Sequence, residues 1–82
     1  MDASLHVFAI LGEGKFLWID CARTDNEAIV LLRTQGLTKA ERFFTHSQRT
    51  GCRTFYSVGQ ESSVIQLGQN GHEGLMQERN SS

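Results

Sequence analysis

Arg49 and Arg53 stand four residues apart around Thr50, Gly51 and Cys52, and the chain then runs straight into Phe55 and Tyr56. Two guanidinium groups with a hydroxyl and the amides around a glycine are the parts of an anion site. Lys39, Arg42 and His46 precede them, interleaved with Phe43 and Phe44. Basic side chains neutralise phosphates and flat rings offer stacking, so Lys39, Arg42, Arg49, Arg53 and Phe55 form a candidate nucleic-acid or anion surface. The plainer alternative is a hairpin whose outward arginines keep an edge soluble. An aromatic-and-glycine string of the kind carried by sheet-platform RNA binders is missing.

Catalytic chemistry has less to work with. Cys52 and His46 are a conceivable nucleophile and base across a hairpin, the weakest of the readings. His6, His46, His72, Cys21 and Cys52 lack the paired short spacings of zinc sites, so neither a metal nor a cofactor is expected. Asp20 reads as a strand terminator or an arginine's partner rather than one of two catalytic carboxylates. Gly12-Glu13-Gly14-Lys15 resembles a phosphate loop only superficially. Phe16 occupies the Ser/Thr position, and a strand follows where a helix belongs. Two cysteines are too few for a disulfide scaffold, and they read as partly buried free thiols.

These groups must be positioned by a chain of 82 residues, enough for one domain. Such a domain buries only about 60–65% of the surface its unfolded chain exposes, which makes self-association a natural supplement. Charge is uneven along it. Residues 1–32 carry five acids against Lys15 and Arg23, a net −3, while residues 33–60 carry five bases against Glu41, a net +4. Residues 61–82 are acidic again, at −2, and the whole chain is at −1. Such asymmetry is a recognised hint of an anionic partner for the middle segment. The apolar runs are far below the roughly 18 residues of a membrane span, and no positively charged leader opens the chain. A cytoplasmic protein without membrane contact is the expectation.

Leu5 to Leu11 and Lys15 to Cys21, rich in aromatic and β-branched residues, flank Gly12-Glu13-Gly14 and predict a hairpin. Thr24-Asp25-Asn26-Glu27 is a capping box opening a helix from Asp25 to about Gln35, with Gly36 as its left-handed stop. Ala28, Leu31, Leu32 and Gln35 mark one stripe, and Ile29 and Val30 widen it to cover most of the helix. Residues 38–48 read as helix or strand. Thr38-Lys39-Ala40-Glu41 is a second capping box, but the following turn and the strand Cys52 to Val58 favour a strand at about 40–46. Val64 to Leu67 reads as a short edge strand. The expected fold is therefore α+β: an antiparallel sheet of three to five strands in a ββαββ-like order, with one capped helix on one face. The domain is placed at 1–67, with a polar, mobile tail at 68–82.

Strand alternation supplies the leading functional reading. One helix covers one sheet face, so the other shows Phe8, Phe16 and Trp18, with Phe55 as a further member. That is more aromatic surface than a small monomer usually leaves in water. A later segment folded over that face is the bland explanation. The functional one is a non-catalytic protein-interaction module, self-associating as a homodimer or binding another protein through Phe8, Phe16 and Trp18. Nucleic-acid binding is the second reading and a Cys/His enzyme the third.

Overall fold

The computed structural model describes residues 4–38 and 40–69. Its N-terminal hairpin joins β1 (Leu5–Ile10) to β2 (Phe16–Ala22). The Leu11 carbonyl accepts from the Gly14 amide at 3.0 Å, and the Leu11 amide donates to the Lys15 carbonyl at 2.8 Å. Gly14 sits at φ 78, so this is the three-residue loop that needs a left-handed residue before the second strand. Phe16 pairs with Ile10, and Trp18 with Phe8, before the register breaks between Val7 and Phe8. Asp20 then faces Val7 and Cys21 faces His6, leaving Ile19 as the extra residue of a β-bulge. The bulge reverses simple alternation, which would put Asp20 with Phe16 and Trp18. Instead Cys21 joins their side of the sheet, and Ala22 is buried in the core under the helix.

Helix α1 (Asp25–Thr34) starts where the capping box placed it. Thr24 Oγ1 accepts from the Glu27 amide at 3.2 Å, while the Glu27 carboxylate accepts from the Arg23 amide at 3.0 Å, one residue earlier than a standard box. A cap of this kind stabilises a helix by about 1 kcal/mol. Ala28 and Leu32 are fully buried, whereas Val30 is 58% exposed, so the covered stripe is narrower than the sequence suggests. A single sheet lies beneath this helix, and among the described residues no element packs on its outer side.

Past Gly36 the next element among the described residues is a strand, β3 (Arg42–Ser47), and not a second α-helix. β4 (Arg53–Val58) and β5 (Val64–Gln69) complete one antiparallel sheet of order β2-β1-β3-β4-β5. The element order is ββαβββ, one strand more than the ββαββ outline and within the predicted three to five. β5 continues two residues beyond Leu67, into the stretch assigned to the tail. Lys39 and residues 70–82, which held the rest of that expectation, lie outside the described residues. Glu61 and Ser62, at φ 59 and 63, make the turn into β5 with two consecutive left-handed residues. That is the type I′ requirement, usually met by Asn-Gly.

The helix-side core gathers Val7, Ala9, Ala22, Ala28, Leu32, Ala40, Phe43 and Tyr56. The Tyr56 hydroxyl is buried near Thr45 and Asp25 without a well-formed hydrogen bond to either. Burial, then the Asp25 carboxylate, pushes its pKa up to about 12 from 10. The folded state thus holds this proton more tightly than the unfolded one. Its contribution to stability is complete below pH 10 and is lost as pH rises through 12. Because Tyr56 is the one tyrosine, tyrosinate absorbance reads it directly. It is expected to develop near pH 12 in the folded protein, and Tyr56→Phe should flatten the fall in melting temperature between pH 10 and 12. A titration near pH 10 with the fold intact would place the ring in water.

Candidate functional site

The sheet surface away from the helix is built in rows, because cross-strand partners share a side. The central row runs Trp18, Phe8, Phe44, Phe55 across β2, β1, β3 and β4. Phe44 stacks on Phe8 with centroids 5.0 Å apart and on Phe55 at 5.3 Å, and Phe16 meets Phe44 edge-on at 4.9 Å. Ile10 and Leu67 complete this second apolar cluster. Phe44 and Phe55 are only 3% and 2% exposed, sealed by their neighbours, whereas Phe16, Leu17 and Trp18 on β2 are 52%, 51% and 52% exposed. The accessible apolar surface therefore lies at the β2 edge, and the middle of the ladder is closed.

A polar row runs beside it: Cys21, His6, His46 and Arg53 are successive partners across β2, β1, β3 and β4. The Arg53 guanidinium carbon lies 5.6 Å from the Phe44 ring centroid, within cation–π range. Simple alternation misses Cys21 as a member of this row, since only the bulge brings it there. His6 pairs with His46 through the β1–β3 adjacency, which sequence order does not announce.

The predicted interface residues Phe8, Phe16 and Trp18 thus occur together, with Phe55 at the far end of the ladder. The predicted basic set is dispersed. Arg42 faces Ile10 and Ser57 at one end of β3, while Arg53 faces His46 near the other. Four residues of strand, about 13 Å, separate the two rows. Arg49 is exposed in the turn between β3 and β4, and Lys39 lies outside the described residues. The amides around Gly51 are already taken within the turn. Ser47 Oγ takes the Thr50 amide at 3.3 Å, the Ser47 carbonyl takes the Gly51 amide at 2.6 Å, and Thr50 Oγ1 takes the Cys52 amide at 3.3 Å.

Cys52 pairs with Ser47, one position from His46, which puts the two side chains of the conjectured nucleophile and base on opposite sides of the hairpin. Cys21 and Cys52 are both free thiols and both exposed, rather than partly buried. Among the described residues no three His, Cys, Asp or Glu side chains are grouped to hold a metal ion. No helix among them is long and apolar enough to cross a membrane.

On the helix side, Leu17 and Ile19 of β2 line a cleft of about 210 Å³ with Leu11, Gln35, Leu37 and Phe43. β2 is an outer strand of the sheet, so this cleft opens beside a backbone edge that no strand among the described residues pairs with. Fold and site together define a small α+β domain with one helix-covered sheet face, one aromatic face and an apolar outer strand. No family model matches the chain, and no curated protein or solved structure is similar to it.

Proposed function

We propose that this chain is a non-catalytic protein-interaction module that self-associates through the aromatic side of its sheet. One observation carries the reading: Phe16 and Trp18 stand half-exposed on the aromatic side of an outer strand, continuous with a ladder that is partly buried at Phe8 and buried at Phe44 and Phe55. Isolated surface apolar residues are ordinary, but a contiguous patch joined to a core is characteristic of an interface. The free thiols suit a reducing compartment, and the cytoplasm is our proposed location. Light scattering or sedimentation tests the reading. The mass should rise from monomer towards dimer between about 10 µM and 1 mM, with a blue shift in emission from the lone Trp18. A monomer throughout that range would end the self-association reading.

Single-stranded nucleic acid is the second reading, favoured by the His6–His46–Arg53 row beside the aromatic one. It requires bases to stack on Phe16 and Trp18, because Phe44 and Phe55 are closed off. Under it, a mixed oligonucleotide pool binds and is released steeply by salt. Arg53→Ala then lowers the salt slope by about one. Under the first reading oligonucleotides leave the mass unchanged.

A further inference from the structure

Hydrogen-bond alternation along β2 specifies more than a sticky patch. The Leu11–Lys15 pair closes the hairpin with a backbone bond at 2.8 Å. Wide and narrow pairs alternate in an antiparallel ladder, so Leu17 turns its N–H and C=O towards Ala9, while Phe16 and Trp18 turn theirs outward. Beyond Ile19 the edge is blunted. The bulge bends the strand, and the Asp20 carboxylate takes the Cys21 amide at 2.7 Å. What remains is a three-residue window, Phe16-Leu17-Trp18, with two donor–acceptor pairs at its ends that no strand among the described residues takes up, and an apolar side chain at each position.

That window is complementary to itself. We infer that a second copy of this chain docks on it, β2 against β2 in antiparallel register about a two-fold axis through Leu17. The inference rests on the self-association proposed above and names its geometry. In this register Phe16 lies opposite Trp18 of the second copy, and the outward groups of each pair exchange two hydrogen bonds, four in all. The two Leu17 side chains meet on the helix side, across the mouths of the two clefts. Phe16 and Trp18 of one protomer cover Trp18 and Phe16 of the other on the aromatic side, joining the two sheets into one. Moving the register by one residue would set aromatic-side residues against helix-side ones, which a two-fold axis perpendicular to the sheet forbids.

Charge agrees with the register. Lys15 of one copy lies diagonally across from Asp20 of the other, and by the pairings with β1 both belong to the helix side. Within one chain Lys15 meets the Glu13 carboxylate at 3.8 Å, on a mostly exposed pair. Such a contact contributes little and is easily exchanged. Three half-exposed side chains per protomer and a short backbone ladder bury on the order of 600 Å² in total, below the roughly 1,200 Å² of stable interfaces and in the range of weak, transient ones. The dimer is therefore a reversible one, populated at high micromolar concentration. Isologous pairing also closes on itself, so it uses up the β2 edge instead of propagating a fibre.

Cysteine cross-linking in a Cys21→Ser/Cys52→Ser background tests the arrangement. The two Leu17 residues form a non-hydrogen-bonded pair with Cα atoms about 4.5 Å apart, inside disulfide range. Leu17→Cys should oxidise to a covalent dimer at least about tenfold faster than Phe16→Cys, whose two copies are diagonal neighbours at about 7–8 Å. Lys15→Asp and Asp20→Lys should each weaken association several-fold, and the double exchange should restore it. A dimer that cross-links through Phe16→Cys but not Leu17→Cys would be face-to-face, which overturns the edge geometry and leaves self-association standing. A chain monomeric at 1 mM overturns both. Circular dichroism of each variant separates lost pairing from lost fold.

Discussion

Phe55→Ala is expected to cost about 3–5 kcal/mol in urea denaturation and to lower the melting temperature by roughly 15–30 °C. Phe55 is 2% exposed although no helix among the described residues covers its side of the sheet. Its burial comes from Phe44, stacked at 5.3 Å, and from Leu67 on β5. The Phe44–Phe55 pair is non-hydrogen-bonded, the closer of the two antiparallel spacings, which favours ring contact. Removing the ring opens a cavity that these neighbours can fill only by pulling β5 inward. The total stability of a domain this size is about 4–10 kcal/mol, so the loss takes a large share of it. The matching substitution at half-exposed Phe16 should cost no more than about 1 kcal/mol, since most of its ring already faces water. A loss below 1 kcal/mol at Phe55 would mean that the second cluster is not a core.

That second core explains which parts of the molecule were legible in the sequence. The N-terminal hairpin, the capped helix and the strand after Gly51 have local signals: Gly14 at positive φ, a Thr24–Glu27 cap, and apolar alternation. Each is decided within a few residues, so sequence alone suffices. The bulge at Ile19 is not decided locally. It satisfies the helix-side core by turning Ala22 inward, and no residue in Phe16–Ala22 announces the change of parity. Glu61 and Ser62 also hide a tight turn behind residues that rarely adopt it. The candidate site divides along the same line. Phe8, Phe16 and Trp18 were legible because alternation holds through Trp18. The dispersal of Arg42, Arg49 and Arg53 was not, because closeness in sequence along a strand becomes distance across a sheet. The polar row depends on β1 lying beside β3, a pairing of strands separated by the whole helix.

Phe16→Thr/Trp18→Thr should weaken self-association by at least about a hundredfold while the fold survives. Each ring has roughly half its surface in water, on the order of 100 Å² apiece. Covering two such halves on each protomer is worth several kcal/mol at about 25 cal/mol per Å², and each 1.4 kcal/mol is tenfold in affinity. Ordering costs on binding reduce that figure, so a hundredfold is a conservative reading. Threonine keeps the β-branched preference for a strand and leaves the outward backbone groups in place. Circular dichroism should therefore change little, while the urea midpoint falls by about 1 M, with about 1–2 kcal/mol lost from the Phe16 contact to Phe44 and from the Trp18–Phe8 pair. Sedimentation at 1 mM should show a monomer where the parent chain shows dimer. If the variant still dimerises as the parent does, the outer strand's aromatic residues are not the contact. If it unfolds, Phe16 and Trp18 belong to the core, and their exposure has no bearing on association.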